Sequence, residues 1–73
     1  MTRVNQILAD TFKISLEDTA KNLGMNDVNN WDSLSHMNLI VTIEEEFNIE
    51  LSGDEIAEMV TFDQIKEIIQ KHL

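Results

Sequence analysis

Three side chains whose types could do chemistry fall within one helical turn: Asp32, Ser33 and His36. A carboxylate, a hydroxyl and an imidazole are the components of a hydrolytic triad, in which the hydroxyl attacks a carbonyl and the imidazole takes its proton. Crowded onto a single turn, with no oxyanion hole or substrate cavity in view, these three do not make such a site. His36 is instead expected at the surface. The acidic character also raises calcium binding, and the loops fail that test. Twelve residues counted from Asp27 end at Asn38 and from Asp18 at Asn29, so the closing bidentate Glu is missing, as is a glycine at position six. What is left is Ser33 as a hydroxyl at the edge of the fold. By position alone it is a helix-start serine, a placement that needs no further role.

The element that must present Ser33 runs from Trp31 to Phe47. Asp32 is its natural N-cap, because the carboxylate can accept a hydrogen bond from an otherwise unpaired first-turn N–H. Apolar residues at positions 34, 37, 40, 41, 43 and 47 exceed what one buried stripe requires, so some of them are expected on the surface. Leu34, Met37 and Val41 lie about a turn apart on the face continuing from Ser33, and Glu44-Glu45-Glu46 closes the helix. Three acids at a helix C-terminus oppose the dipole, a local cost more easily understood if a cationic partner uses them. An exposed serine with apolar neighbours and an acidic tail reads as a docking site.

Around this helix the periodicity predicts three others. Thr2 to Ile14 carries Val4, Ile7, Leu8, Thr11 and Phe12 at helical spacing. From Ser15 to Trp31 the period is lost and Asn, Asp and Gly take over, with Leu16, Leu23, Met25 and Val28 expected to pin this long connection to the rest. Trp31 is expected to anchor its end in the core. Ser52-Gly53-Asp54-Glu55 is a Ser-x-x-Glu capping box with Leu51 and Ile56 as its staple, opening a short helix to about Met59. Thr61-Phe62-Asp63-Gln64 repeats the device as Thr-x-x-Gln, with Val60 and Ile65 as its staple. The last helix follows, with Ile65, Ile68, Ile69 and Leu73 facing inward.

Size and charge narrow the function. The chain has 73 residues, no proline and two glycines, which predicts one helical domain, 1–73, too small to enclose a deep, dry active-site pocket. An enzyme is disfavoured. The net charge is −9, which repels nucleic acid and anionic membranes and attracts proteins with Arg/Lys patches. Residues 32–73 hold ten acids against two bases, whereas residues 1–31 hold four against three. The basic partner is therefore expected on the half that begins at Ser33. Without cysteine, any thiol chemistry must come from an attached group. No signal peptide or apolar run of spanning length is visible, so a cytoplasmic monomer is the default.

Asp32-Ser33-Leu34 opening a helix that ends Glu44-Glu45-Glu46-Phe47, in a chain of this length, resembles the acyl carrier proteins. The resemblance spans essentially the whole chain. It implies an all-α, four-helix bundle with a long loop between helices 1 and 2 and a short third helix. It also implies that Ser33 carries 4′-phosphopantetheine, moved there from coenzyme A by a phosphopantetheinyl transferase that uses Mg²⁺ and recognises Asp32. The resulting phosphodiester would sit at a helix N-terminus, which favours an anion. The cargo would ride as a thioester on the arm's terminal thiol. By the same resemblance, Leu34, Met37, Val41, Glu44 and Glu45 match the surface gripped by acyl-loading and acyl-transferring enzymes with basic docking patches. The pathway implied is fatty-acid, polyketide or another specialised synthesis. Ser35, Asn38 and Ala57 are uncharged where many members carry acids, and Trp31 is bulky where small residues are common. These departures favour a dedicated pathway over housekeeping fatty-acid synthesis. The alternatives are an aminoacyl or peptidyl carrier and an unmodified interaction or regulatory module that keeps the carrier fold.

Overall fold

The computed structural model describes residues 2–73. Its first helix, α1 (Thr2–Phe12), buries Val4, Ile7, Leu8 and Phe12 along one face, the i, i+3, i+4 stripe of the sequence. The helix stops two residues short of Ile14 because Lys13 turns left-handed at φ 55°. That turn lets the Ile14 N–H reach back to the Ala9 carbonyl at 3.2 Å, a Schellman-type closure built without glycine. The same device ends α2 (Ser33–Phe47): Asn48 sits at φ 54° and the Ile49 N–H bonds the Glu44 carbonyl at 3.2 Å.

The connection between α1 and α2 is ordered by its own polar side chains. A single 3-10 turn spans Glu17–Ala20, and its Thr19 is fully buried with its hydroxyl donating to the Leu16 carbonyl at 2.5 Å. Once that hydroxyl is satisfied, a threonine can lie in the interior at little cost. Leu16, expected to pin the loop, is instead 52% exposed; its carbonyl serves the turn while Thr19 takes the inward place. Met25 is likewise exposed, since it lies on the turn that Asp27 closes by accepting from the Gly24 N–H. Leu23 and Val28 do pack on the core as expected. The loop is also sewn to the segment before the last helix. Gly24 pairs with Thr61 in an isolated antiparallel bridge, flanked by Phe62 N–H to Leu23 O at 2.8 Å and Met25 N–H to Val60 O at 3.2 Å. A side chain at Gly24 would meet the Val60 carbonyl at 3.2 Å, so this close approach favours a residue without one.

Both capping devices open the helices they were expected to open. For α3 (Gly53–Glu58) the box is complete: the Ser52 hydroxyl accepts from the Glu55 N–H at 3.1 Å and the Glu55 carboxylate from the Ser52 N–H at 3.0 Å. For α4 (Phe62–His72) only half is made. The Thr61 hydroxyl accepts from the Gln64 N–H at 3.2 Å, but the Gln64 side chain takes the Thr61 hydroxyl proton rather than returning to the backbone. Val60 stays exposed, so the second staple lacks a buried N-terminal partner. Ile65, Ile68 and Ile69 face inward, whereas Leu73 is 72% exposed because it lies past the last helical residue, beyond the reach of the core.

The four helices form an all-α bundle with no strand among the described residues. Its centre is aromatic. Trp31 is buried as expected, with its ring centroid 4.7 Å from that of Phe12 and 5.6 Å from that of Phe62, spacings at which rings attract beyond simple area burial. The indole therefore joins α1, the end of the long loop and α4 two residues before Ser33.

Candidate functional site

The site begins with the cap that starts α2. Asp32 is extended (φ −109°, ψ −174°) and its carboxylate accepts from the Ser35 N–H at 2.9 Å. That bond, first among the causes, holds the Asp32 carboxyl below its ordinary range. The Asp32 carbonyl takes the first helical bond, from the His36 N–H at 2.8 Å. Ser33 follows immediately, exposed, and among the described residues no hydrogen bond engages its hydroxyl. An oxygen in this position can accept a bulky substituent without displacing anything in the fold, and a phosphate attached to it would lie against the positive end of the helix dipole.

Beyond Ser33 the outer face is apolar. Leu34, Met37 and Val41 are 73%, 50% and 48% exposed, while Leu39, Ile40 and Ile43 on the opposite side are buried. The surplus of apolar residues thus divides into a core stripe and a surface stripe. Three large side chains are left in water on one helix face as an exposed apolar stripe.

The acids at the end of α2 are less alike than their sequence suggests. Glu44 is half-buried and its carboxylate accepts from the Leu51 N–H at 2.9 Å. Glu46 pairs with Arg3 of α1 at 2.5 Å, and the guanidinium hydrogen bond holds its carboxyl below the usual range. Glu45 stands exposed.

His36 departs most from expectation. Rather than lying free at the surface, its ring is engaged at both nitrogens: Trp31 Nε1–H donates to Nδ1 at 3.0 Å, and Nε2 lies 3.0 Å from the Ile56 carbonyl of α3. The ring stacks on the indole as well, with centroids 6.2 Å apart. Neither nitrogen remains to take a proton from Ser33. Local sequence carried no sign of this, since the contact to Ile56 spans 20 residues.

The α2 start thus combines an unused hydroxyl, an apolar outer face and a histidine committed elsewhere, an arrangement with room for an attached group. A family model described as the phosphopantetheine attachment site matches residues 2–69. An acyl carrier protein of Chlamydia trachomatis serovar L2 is 33% identical over 69 residues, which is 94% of this chain and 90% of the relative. An acyl carrier protein of Desulforapulum autotrophicum is 30% identical over 70 residues, 94% of this chain and 91% of that one. The chain belongs to the acyl carrier protein family, whose attached cofactor is 4′-phosphopantetheine.

Proposed function

We propose that the chain, as a single carrier domain over residues 1–73, bears 4′-phosphopantetheine on Ser33 and presents acyl cargo to successive enzymes without performing catalysis itself. The observation that carries this reading is the exposed Ser33 hydroxyl, free of intramolecular hydrogen bonds among the described residues, at the Asp32-capped start of α2. The arm's terminal thiol supplies the thioester linkage for the cargo. This chain's residues orient and expose it: Asp32 fixes the first turn and offers the transferase a charge beside the serine, while Leu34, Met37 and Val41 offer an apolar grip. Glu45, with part of Glu44, adds negative charge for partners with Arg/Lys patches. The uncharged Ser35, Asn38 and Ala57 favour a dedicated pathway, and the compartment proposed is the cytoplasm.

The test is incubation with coenzyme A and a phosphopantetheinyl transferase, read by intact mass. Attachment forms a bond from the Ser33 oxygen to phosphorus and breaks the pyrophosphate bond of coenzyme A, which releases adenosine 3′,5′-bisphosphate. Wild type is expected to gain one phosphopantetheine and Ser33→Ala none. A wild type that stays unmodified, or an alanine variant that gains the same mass, ends the proposal. Full pathway activity of Ser33→Ala would favour the unmodified interaction module instead.

A further inference from the structure

The chain contains two histidines, and both are spent on α3. This is the shortest helix, and none of its own side chains is fully buried. Ile56 packs half-buried on the core, and Leu51 and Met59 are buried just outside the two ends. The polar ties come from either side. From α4, His72 Nε2 meets the Glu55 carboxylate at 2.8 Å. From α2, His36 Nε2 meets the Ile56 carbonyl at 3.0 Å.

The chemistry of its partners decides the protonation of His36. An indole N–H only donates, so Nδ1 must be the bare, accepting nitrogen. A carbonyl only accepts, so the ring proton must sit on Nε2. One neutral tautomer satisfies both bonds. The Ile56 carbonyl lies in the last turn of α3, where backbone acceptors lack helical partners; apart from a 3.3 Å contact from the Met59 N–H, His36 supplies the donor.

We propose that His36 is the positioning residue that latches α3 to the first turn of α2, and that this latch shuts the bundle interior beside Ser33 so that the carried group stays in solvent. His36 lies one turn past Ser33 and on the same side of the helix. The space behind it is filled by the buried Trp31, which stacks on Phe62 and lies tilted against Phe12. An alkyl chain on the Ser33 arm would be driven toward an apolar interior more strongly with each methylene. To enter between α2 and α3 it must break the His36–Ile56 bond, which leaves the Nε2–H without its acceptor and the Ile56 carbonyl with only the Met59 contact. Two hollows on the surface are not lined by Ser33: one of 220 Å³ lies among Arg3, Ile7 and Thr42, and one of 470 Å³ lies between Asn22, Met25 and Val60. The cargo class this arrangement suits is a short or polar acyl group. The cargo assignment rests on the carrier reading; the latch does not.

Amide hydrogen exchange on the unmodified protein tests the latch. His36→Ala is expected to speed exchange at Ile56 and Met59 by about tenfold more than at Ile68 and Ile69, as loss of one hydrogen bond to a single element should. His36→Gln, whose amide nitrogen can reach the position of Nε2, is expected to restore most of the protection. Equal acceleration in α3 and α4, no acceleration, or failure of the glutamine variant to restore protection overturns it. For the cargo, the transferase is supplied with acetyl- or octanoyl-coenzyme A, and loading is confirmed by mass before melting. The two loaded wild types are expected to melt together, whereas octanoyl raises the melting temperature of His36→Ala. A rise of more than about 4 °C for octanoyl-loaded wild type, the shift expected from a chain that has found an interior site, overturns the exclusion. Absence of any loading overturns the carrier reading and the cargo assignment with it, while the exchange result still judges the latch.

Discussion

The two ends of α2 carry the residues that the sequence marks for recognition, and the fold treats them in opposite ways. At the start, the Ser33 and Leu34 side chains face water, and among the described residues no hydrogen bond engages the Ser33 hydroxyl. At the end, two of the three acids are already engaged: Glu44 holds the Leu51 amide and Glu46 holds Arg3. A run of like charges is therefore not a uniform docking surface. Glu44 fastens the α2–α3 turn, Glu46 ties α2 back to α1, and Glu45 is left exposed. The start of the helix stays available because its anchoring is delegated to Trp31 and Asp32, the two residues just before it.

That contrast can be broken most severely at Trp31. Replacing it with alanine removes the indole that joins Phe12 and Phe62 and strands His36 Nδ1, and should cost about 3–5 kcal/mol by urea denaturation, enough to leave a small domain largely unfolded. At the other end, Glu44→Ala should cost about 1–3 kcal/mol, because it leaves the part-buried Leu51 N–H without its acceptor. Glu45→Ala should stay within about 0.5 kcal/mol of wild type. Equal stabilities for these two variants would erase the distinction drawn between neighbouring acids. Binding to a basic partner should move the other way, with Glu45→Ala weakening it at low salt and the difference fading as salt is added.

Asp32 sharpens the comparison on a smaller scale. Asp32→Ala should lose about 1 kcal/mol, whereas Asp32→Asn keeps a competent cap and should retain stability. If the transferase reads the charge, both variants are modified more slowly; if it reads only the helix start, Asp32→Asn is modified at the wild-type rate. Acid provides the remaining test. Asp32, Glu46 and Glu55 all have folded-state carboxyls lowered by hydrogen bonds. Their stabilising contributions are full above the unfolded values near pH 4 and are lost as pH falls through the folded ones. Relief of self-repulsion among 14 acidic side chains works in the opposite direction. Thermal melts from pH 6 to pH 2 should therefore show a smaller acid loss in Asp32→Asn than in wild type, since an asparagine cap does not titrate.

What the sequence makes legible is local. The Asp32 cap, the Ser52 box and the Thr61 hydroxyl bond are all contacts between residues three apart, and each opens the helix that its residues announce. The division of the α2 apolar residues into buried and exposed sets followed from counting more of them than one stripe can hide. The contacts that remained hidden join distant positions: His36 to Ile56, Glu44 to Leu51, Lys66 Nζ to the Thr19 carbonyl at 2.8 Å. Leu16, Met25 and Leu73 were misplaced for a related reason. Apolar character predicts burial only where the path of the chain permits it, and a turn or a helix end can leave a large side chain with nothing to cover it. Thr19 shows the converse, a polar residue buried because its hydroxyl has a carbonyl within reach.

Trp31 is the single tryptophan of a chain that has no tyrosine. Its near-ultraviolet absorption and emission therefore arise almost wholly from one indole, two residues from Ser33 and in contact with the ring of His36. Loading, docking or acidification at this end of the bundle should be visible in the native fluorescence with no label added. The carrier comes with its own optical gauge, seated beside the serine proposed to bear the arm.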